Sequence, residues 1–193
     1  TSKPTDLIKI GYMGTRTHAA DLLMIMTPLR KFLYKNRSRV IFEMVGVYSD
    51  KRLEQCFDGY PVDFIDVGNA VEYENFIPWA ANNLKWDYAL APLQDNLFNQ
   101  CKSDIKFLDY ALLGIPGIFS NVASYRSSVI HQNTGWLCEN STLAWCEALE
   151  YLLENTPSRQ SMAHNAWEYA ANNRTLAQCA IQWLQAVETI AIN

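Results

Sequence analysis

Short apolar runs alternate along this chain with longer stretches of helical apolar spacing, and that alternation constrains the fold more than any other feature. Leu7 to Gly11 (Leu-Ile-Lys-Ile-Gly), Val40 to Val47, Val62 to Val67, Trp86 to Leu93, Gly117 to Ser120 and Gly135 to Cys138 read as strands. Between the first two, His18 to Lys35 carries Leu22, Leu23, Met26, Leu29, Phe32 and Leu33 at helical spacing, and Pro28 is expected to kink or split that helix. Glu72 to Asn82 and Lys102 to Leu113 read as further helices, the second stopped by Gly114 with Pro116 beyond it. From Ser141 onward the pattern is helical throughout: Leu143 to Glu154, Ser158 to Ala170 and Thr175 to Ile190. Strands separated by helices imply βαβ units and a parallel sheet. The expectation is an α/β chain with a doubly wound, Rossmann-like parallel sheet in a single domain over 1–193, closed by C-terminal helices over 141–193.

Composition narrows the classes of function. With 49% hydrophobic residues the chain can bury a sizeable core, which excludes a disordered tail. A net charge of −4 argues against a nucleic-acid partner held by blanket phosphate neutralisation, but leaves room for a small basic pocket. No apolar run reaches the ~18 residues of a transmembrane segment. The longest, Phe107 to Phe119, is interrupted by Asp109, Gly114, Pro116 and Gly117. The start, Thr1-Ser2-Lys3-Pro4, has neither Met nor an apolar signal region, so the chain is expected to be processed or a piece of a longer one. Five cysteines without a C-x-x-C pair fit reduced thiols better than a disulfide framework or a zinc knuckle.

In open parallel sheets ligands bind beyond the carboxyl ends of the strands. Two loops therefore qualify. The first is Gly11-Tyr12-Met13-Gly14-Thr15-Arg16-Thr17-His18. Gly14 permits a tight turn, Thr15 or Thr17 can cap the next helix, and Arg16 can grip a phosphate in bidentate fashion. Neither G-x-G-x-x-G nor a Walker lysine is present, and an ordinary strand-to-helix turn with a solvated Arg16 explains the same residues. His18 is a candidate phosphate contact, whereas His131 and His164 read as surface or turn residues. The tryptophans fall on apolar stripes, which favours core packing over carbohydrate stacking.

The second loop opens the helix after Leu90-Ala91-Pro92-Leu93, with Ser103 as its expected cap. Helical spacing puts Lys102, Lys106 and Asp109 on one stripe and Ile105, Leu108 and Leu112 on a neighbouring, buried one. Two lysines in a first turn oppose the helix dipole, which suits an anion docking there. Asp109, one turn deeper, is placed to accept two vicinal hydroxyls, as the ribose acid does in dinucleotide folds. A solvated surface stripe with a Lys106–Asp109 pair accounts equally for the pattern.

The stretch Lys102-Ser103-Asp104-Ile105-Lys106-Phe107-Leu108-Asp109-Tyr110-Ala111-Leu112-Leu113-Gly114-Ile115-Pro116, followed by Ser120, resembles the donor-binding motif of retaining GT-B glycosyltransferases of family 4 (group 1). His131 to Leu137 is similar to the glycine-turn segment that follows in that family, and Gly11 to Asp21 to the phosphate loop of a bacterial polysaccharide subgroup. The resemblance covers the carboxy-terminal, nucleotide-sugar-binding half of a two-domain enzyme. It puts Asp109 in place of the second Glu of the E-x7-E motif, the residue that holds the ribose. Cys101 stands where the first, sugar-contacting Glu would be, so sugar recognition does not carry over. Gly14, Thr15 and Arg16 resemble the diphosphate-binding elements, with Lys102, Ser103 and Lys106 added from the second loop, and Val67-Gly68 resembles the loop that meets the base.

What the resemblance implies is transfer of a sugar from a nucleoside-diphosphate donor to a glycan or lipid-linked acceptor, with retention, by an enzyme of polysaccharide biosynthesis. Positive groups would stabilise the departing diphosphate without a metal or cofactor. The acceptor domain would be a separate amino-terminal partner, and no catalytic residue is assigned in this half. The implied location is cytoplasmic, with the inner membrane surface as the alternative. Two other functions fit the residues: a GT-B sugar-nucleotide epimerase half, and a non-catalytic doubly wound binding or regulatory module.

Overall fold

The six apolar runs become six strands: β1 (Ile8–Met13), β2 (Val40–Val45), β3 (Val62–Ile65), β4 (Tyr88–Ala91), β5 (Gly117–Ser120) and β6 (Trp136–Cys138). The computed structural model describes residues 7–46 and 51–191, so Thr1 to Pro4 and Val47 lie outside the described residues. All neighbouring strands are parallel, in the order β3-β2-β1-β4-β5-β6. Ile10 registers with Phe42 on one side and Tyr88 on the other. This is the doubly wound architecture expected from the alternation, and its strand order reverses between β1 and β4, where such sheets open a crevice.

Ten α-helices complete the described chain: α1 (Ala19–Met24), α2 (Met26–Lys35), α3 (Lys51–Gln55), α4 (Tyr73–Asn83), α5 (Leu97–Gln100), α6 (Ile105–Leu112), α7 (Ala123–Arg126), α8 (Thr142–Glu154), α9 (Thr156–Asn173) and α10 (Leu176–Ala191). Successive strand side chains point to opposite faces, so each strand feeds two cores. Ile10, Tyr12, Phe42, Met44, Tyr88, Leu90 and Ile118 meet Leu22, Leu29 and Phe32 of α1 and α2 and Trp145, Leu149 and Leu152 of α8. Met13, Val45, Ala89, Ala91 and Phe119 meet Ala80 of α4, Phe107, Tyr110 and Ala111 of α6, and Ala166 and Ala170 of α9.

Local chemistry sets the breaks. The expected His18–Lys35 helix divides at Ile25, which leaves Pro28 in the first turn of α2, where its missing N–H is not needed. Gly11 has no side chain because the Trp86 ring lies against it, 1.8 Å from where a Cβ would stand. Trp86 Nε1 in turn donates to Glu43 Oε2 at 2.8 Å, and Lys9 Nζ pairs with Glu43 Oε1 at 2.5 Å. The buried Arg159 of α9 donates to the terminal carbonyls of α8 at Leu152 and Leu153 and to Thr156 Oγ1 at 2.9 Å, which fixes the α8–α9 corner.

The tryptophan expectation holds only in part. Trp86 and Trp145 are buried, but Trp167 and Trp183 are exposed on α9 and α10 because those helices present these faces to solvent. The helices α3, α5 and α7 are too short to have produced a periodic signal. Among the described residues, no helix is long and apolar enough to cross a membrane.

Candidate functional site

The loops that leave β1, β2 and β3 surround a cavity of about 510 Å³ with α4 and α6. Met13, Gly14, Thr15 and His18 come from β1 and the 3-10 turn after it (Arg16–His18), Val45 and Gly46 from β2, and Val67, Ala70 and Val71 from the loop after β3. Tyr73 and Phe76 of α4 and Ile105, Lys106 and Asp109 of α6 close the remaining side. The cavity thus lies at the carboxyl ends of parallel strands, beside the switch point.

The first loop is pinned by backbone. Gly46 has φ +85°, and a Cβ there would stand 2.5 Å from the Gly14 carbonyl oxygen, so only glycine fits this approach. The Gly14 amide donates to Val45 O at 3.0 Å. That corrects the expectation that it faces a diphosphate, since the β1–β2 ladder extends by one residue and consumes the donor. The Thr15 amide has no partner among the described residues, while Thr15 Oγ1 pairs with Thr17 Oγ1 at 2.8 Å. The side chain of Arg16, an expected phosphate ligand, lies outside the described residues.

The second loop differs more from expectation. The helix expected from Lys102 starts only at Ile105, and Ser103 is exposed and caps nothing. Asp104 stands at the N-cap, and its carboxylate is taken elsewhere: Arg174 grips it with two hydrogen bonds of 2.6 and 2.8 Å, and Ser128 Oγ donates to it. Burial opposes the charge on Asp104, but Arg174 and Ser128 outweigh it and hold the carboxyl below the usual carboxylate range.

The stripes of α6 are also exchanged. Ile105 and Leu112, expected inside, are exposed, whereas Lys106 and Asp109 are buried alongside Phe107, Tyr110 and Ala111. The aromatic pair Phe107 and Tyr110 has more area to bury than Ile105 and Leu112. Turning it into the core carries the two charged residues inward toward β1.

Lys106 and Asp109 define the polar part of the cavity. Lys106 Nζ is buried without a hydrogen-bond partner among the described residues and stands 4.9 Å above the Tyr12 ring. Burial lowers its pKa to about 8, with Lys102 adding to the shift and the carboxylates of Asp21 and Asp109 opposing it. Asp109 is 5% exposed, and its Oδ1 accepts a 2.6 Å hydrogen bond from the Tyr73 hydroxyl. Burial raises the Asp109 pKa, against the pull of Tyr73 and Lys106.

Behind them lies a second buried carboxylate that the sequence did not single out. Asp21 Oδ1 accepts from the Gln94 amide at 2.9 Å and from Asn99 Nδ2 at 3.2 Å, and Oδ2 lies 3.0 Å from His18 Nδ1. Burial opposes its ionisation, but the bonds from His18 and Gln94 and the nearby Lys102 hold it below the usual carboxylate range. Lys102 Nζ sits 3.8 Å from Asp21 Oδ2 and over the Phe98 ring, and does not line the cavity. The stripe of two equivalent lysines thus resolves into one cavity residue, Lys106, and one that balances Asp21.

Of the other expected positions, Val67 lines the cavity, and Gly68, at φ +58°, donates its amide to Asp66 Oδ1 at 2.9 Å. Cys101 is exposed. His131 is an exposed turn residue whose Nδ1 accepts from the Leu137 amide, and His164 pairs with Glu168 at the surface. Among the described residues, no group of three His, Cys, Asp or Glu side chains is placed to hold a metal ion. Sequence reasoning missed Tyr12, Asp21, Tyr73 and Arg174, each of which reaches its partner across elements distant in the chain. The run His18-Ala19-Ala20-Asp21, with its i, i+3 spacing, was the one available signal.

A parallel sheet of this order, with its crevice at the ends of β1 and β4, has a Rossmann-like fold that matches GT-B C-terminal domains. One structural neighbour is itself a C-terminal domain of a glycosyl transferase group 1 family protein. The isolated C-terminal domain of a glycosyl transferase group 1 family protein (LpcC) from Francisella tularensis superposes with TM-score 0.65 at 15% identity, over 88% of this chain and 87% of that one. The Anabaena protein Alr3699/HepE, solved in complex with UDP and glucose, gives TM-score 0.72 at 13% identity over 95% of this chain. Sucrose-phosphate synthase (tll1590) from Thermosynechococcus elongatus gives 0.71 at 14% identity over 97%. The chain spans 49% and 46% of those two longer proteins. At these identities the likeness establishes the fold. No protein-family model and no curated protein sequence matches the chain.

Proposed function

We propose that the cavity binds a nucleoside-diphosphate sugar and that the chain is the donor-binding part of a glycosyltransferase that passes the sugar to a glycan or lipid-linked acceptor with retention. The observation that carries this reading is Lys106. A buried ammonium without a hydrogen-bond partner among the described residues, on the wall of an otherwise largely apolar cavity, is costly unless an anion completes it. Asp109, one turn along α6 and in the same cavity, supplies an acceptor for ribose hydroxyls. The fold neighbour that was solved with UDP and glucose supports the ligand class.

In this reading Lys106, the Thr15 amide and Arg16 meet the diphosphate, and Val67 and Gly68 border the base. Lys102 acts at one remove, through Asp21, and Ser103 takes no part. Lys106 stabilises the negative charge that builds on the diphosphate as the glycosidic bond breaks. The donor is a substrate, and no cofactor takes part. The acceptor is held by a second, amino-terminal domain, and this chain spans only 49% and 46% of two of its longer neighbours. The protein works in the cytoplasm, or at the inner membrane surface where a lipid-linked acceptor would be met.

A thermal-shift series with UDP, GDP, CDP, ADP and dTDP, each against its nucleoside, tests the reading. A ligand at ~100 times its Kd stabilises the fold by ~2.7 kcal/mol. A selective response to one diphosphate is expected. A protein that answers to none of them is not a donor-binding domain by itself, and the reading falls.

A further inference from the structure

His18, on the wall of the cavity, forms a dyad with the buried Asp21, and the reading above leaves it unused. His18 Nδ1 lies 3.0 Å from Asp21 Oδ2, and the His18 ring lines the cavity. Asp21 is 3% exposed, and its other oxygen is filled by the Gln94 amide and Asn99 Nδ2. An ionised carboxylate only accepts hydrogen bonds. The shared proton therefore sits on His18 Nδ1, and Nε2, which has no partner among the described residues, is the nitrogen left for a ligand.

That assignment has a chemical consequence. With Nδ1 protonated, Nε2 of the neutral ring carries a lone pair and repels an anion. It can donate to one only after taking a proton from solvent, which makes the ring an imidazolium. The surrounding charges accommodate that form. Asp21 lies beside the ring on α1, and Lys102, from the turn after α5, is 3.8 Å from Asp21. From β1, the Tyr12 hydroxyl donates to the His18 carbonyl at 3.3 Å, and from α6, Lys106 and Asp109 share the cavity wall. The carboxylates of Asp21 and Asp109 thus balance the two lysines, and an imidazolium adds one positive charge for the ligand to meet.

We infer that His18 is a proton-linked contact to the diphosphate of the ligand, and that Asp21 is the positioning residue that makes it one. The inference rests on the nucleotide reading: binding takes up a proton at Nε2, no covalent bond changes, and affinity is greater at pH 6 than at pH 8.

Calorimetric titration of the full chain with UDP, GDP, CDP, ADP and dTDP and their nucleosides, in two buffers of different ionisation enthalpy between pH 6 and 8, tests it. His18→Asn keeps a donor for Asp21 and removes the far side of the ring with Nε2, so the fold is expected to be retained. His18→Gln puts an uncharged amide near Nε2. His18→Asn is expected to lose roughly tenfold or more in affinity for the diphosphate and little for the nucleoside. It should also lose the proton uptake seen in the unmodified chain, while His18→Gln regains part of the affinity without the proton. If a diphosphate binds and all three proteins take up the same number of protons, the inference is overturned and the nucleotide reading stands. Equal losses for diphosphate and nucleoside overturn it as well, because they mark a purely structural His18. If no diphosphate binds the unmodified chain, both fall together.

Discussion

The Tyr73 hydroxyl donates a 2.6 Å hydrogen bond to Asp109 Oδ1 and so ties the start of α4 to the buried side of α6. Two elements that line one cavity are thereby joined at a buried carboxylate. The bond favours the charged form of a group that burial pushes the other way. Tyr73→Phe is therefore expected to cost about 1–2 kcal/mol at neutral pH. The sign with pH follows from the raised Asp109 pKa. A carboxyl whose folded pKa lies above its unfolded one contributes stability below the unfolded value, and loses it as pH rises through the folded value. The Tyr73→Phe deficit should accordingly shrink as the pH falls and Asp109 takes up a proton. Urea melts at pH 7 and pH 4 check this, and an equal deficit at both would sink it.

Asp109→Ala should weaken the binding of any nucleoside diphosphate the chain selects by roughly 1.5–3 kcal/mol, the range for a lost hydrogen bond to a charged group. Isothermal titration measures it directly. Unchanged affinity would remove Asp109 from the site.

Lys106→Met should make the ligand-free protein more stable. The folded pKa of about 8 lies below the ordinary lysine value, so between the two the unfolded chain binds more protons and stability rises with pH. Below pH 8 the cost of the buried ammonium is present in full. Its removal should gain about 1–3 kcal/mol at pH 7, and the gain should fade toward pH 10. Diphosphate binding should collapse in the same variant, whereas Lys102→Met should change it little. A Lys106→Met protein less stable than its parent at pH 7 would show that the ammonium has a counter-ion.

Arg174→Met leaves Asp104 buried beside Ser128 with no cation. A loss of about 2–4 kcal/mol is expected at pH 7. Because the Asp104 pKa is lowered, the ion pair contributes above the ordinary carboxylate range and is lost as pH falls through the depressed value. The difference between the two proteins should close in strong acid, as followed by circular dichroism.

Gly11→Ala places a methyl group against the Trp86 ring, in the middle of a sheet that cannot open. A loss of about 2–3 kcal/mol or more in a chemical melt is expected. Wild-type stability in that variant would mean that Trp86 can leave its place.

The alternation of apolar runs and amphipathic stretches was sufficient for the architecture. A strand such as Tyr88–Ala91, apolar at every position, has to be covered on both faces, and helices between parallel strands are the way to cover it. The crevice at the ends of the strands follows from the same topology, and Asp109, Lys106 and Val67 were legible as residues around it because they stand next to those ends. Which way α6 turns was not legible. Its sequence offers two apolar stripes, and the choice was made by the packing of Phe107 and Tyr110 against β4 and β5, a competition between long-range contacts that local periodicity does not weigh. The same holds for Asp104 with Arg174, Tyr73 with Asp109, and Gly14 with Val45, pairs far apart in the chain that share a hydrogen bond only once the sheet has formed. Sequence set the layers and the place of the site, because periodicity and strand burial are local properties. Tertiary structure alone decided which charges face the cavity, because that depends on which neighbours each side chain finds across it.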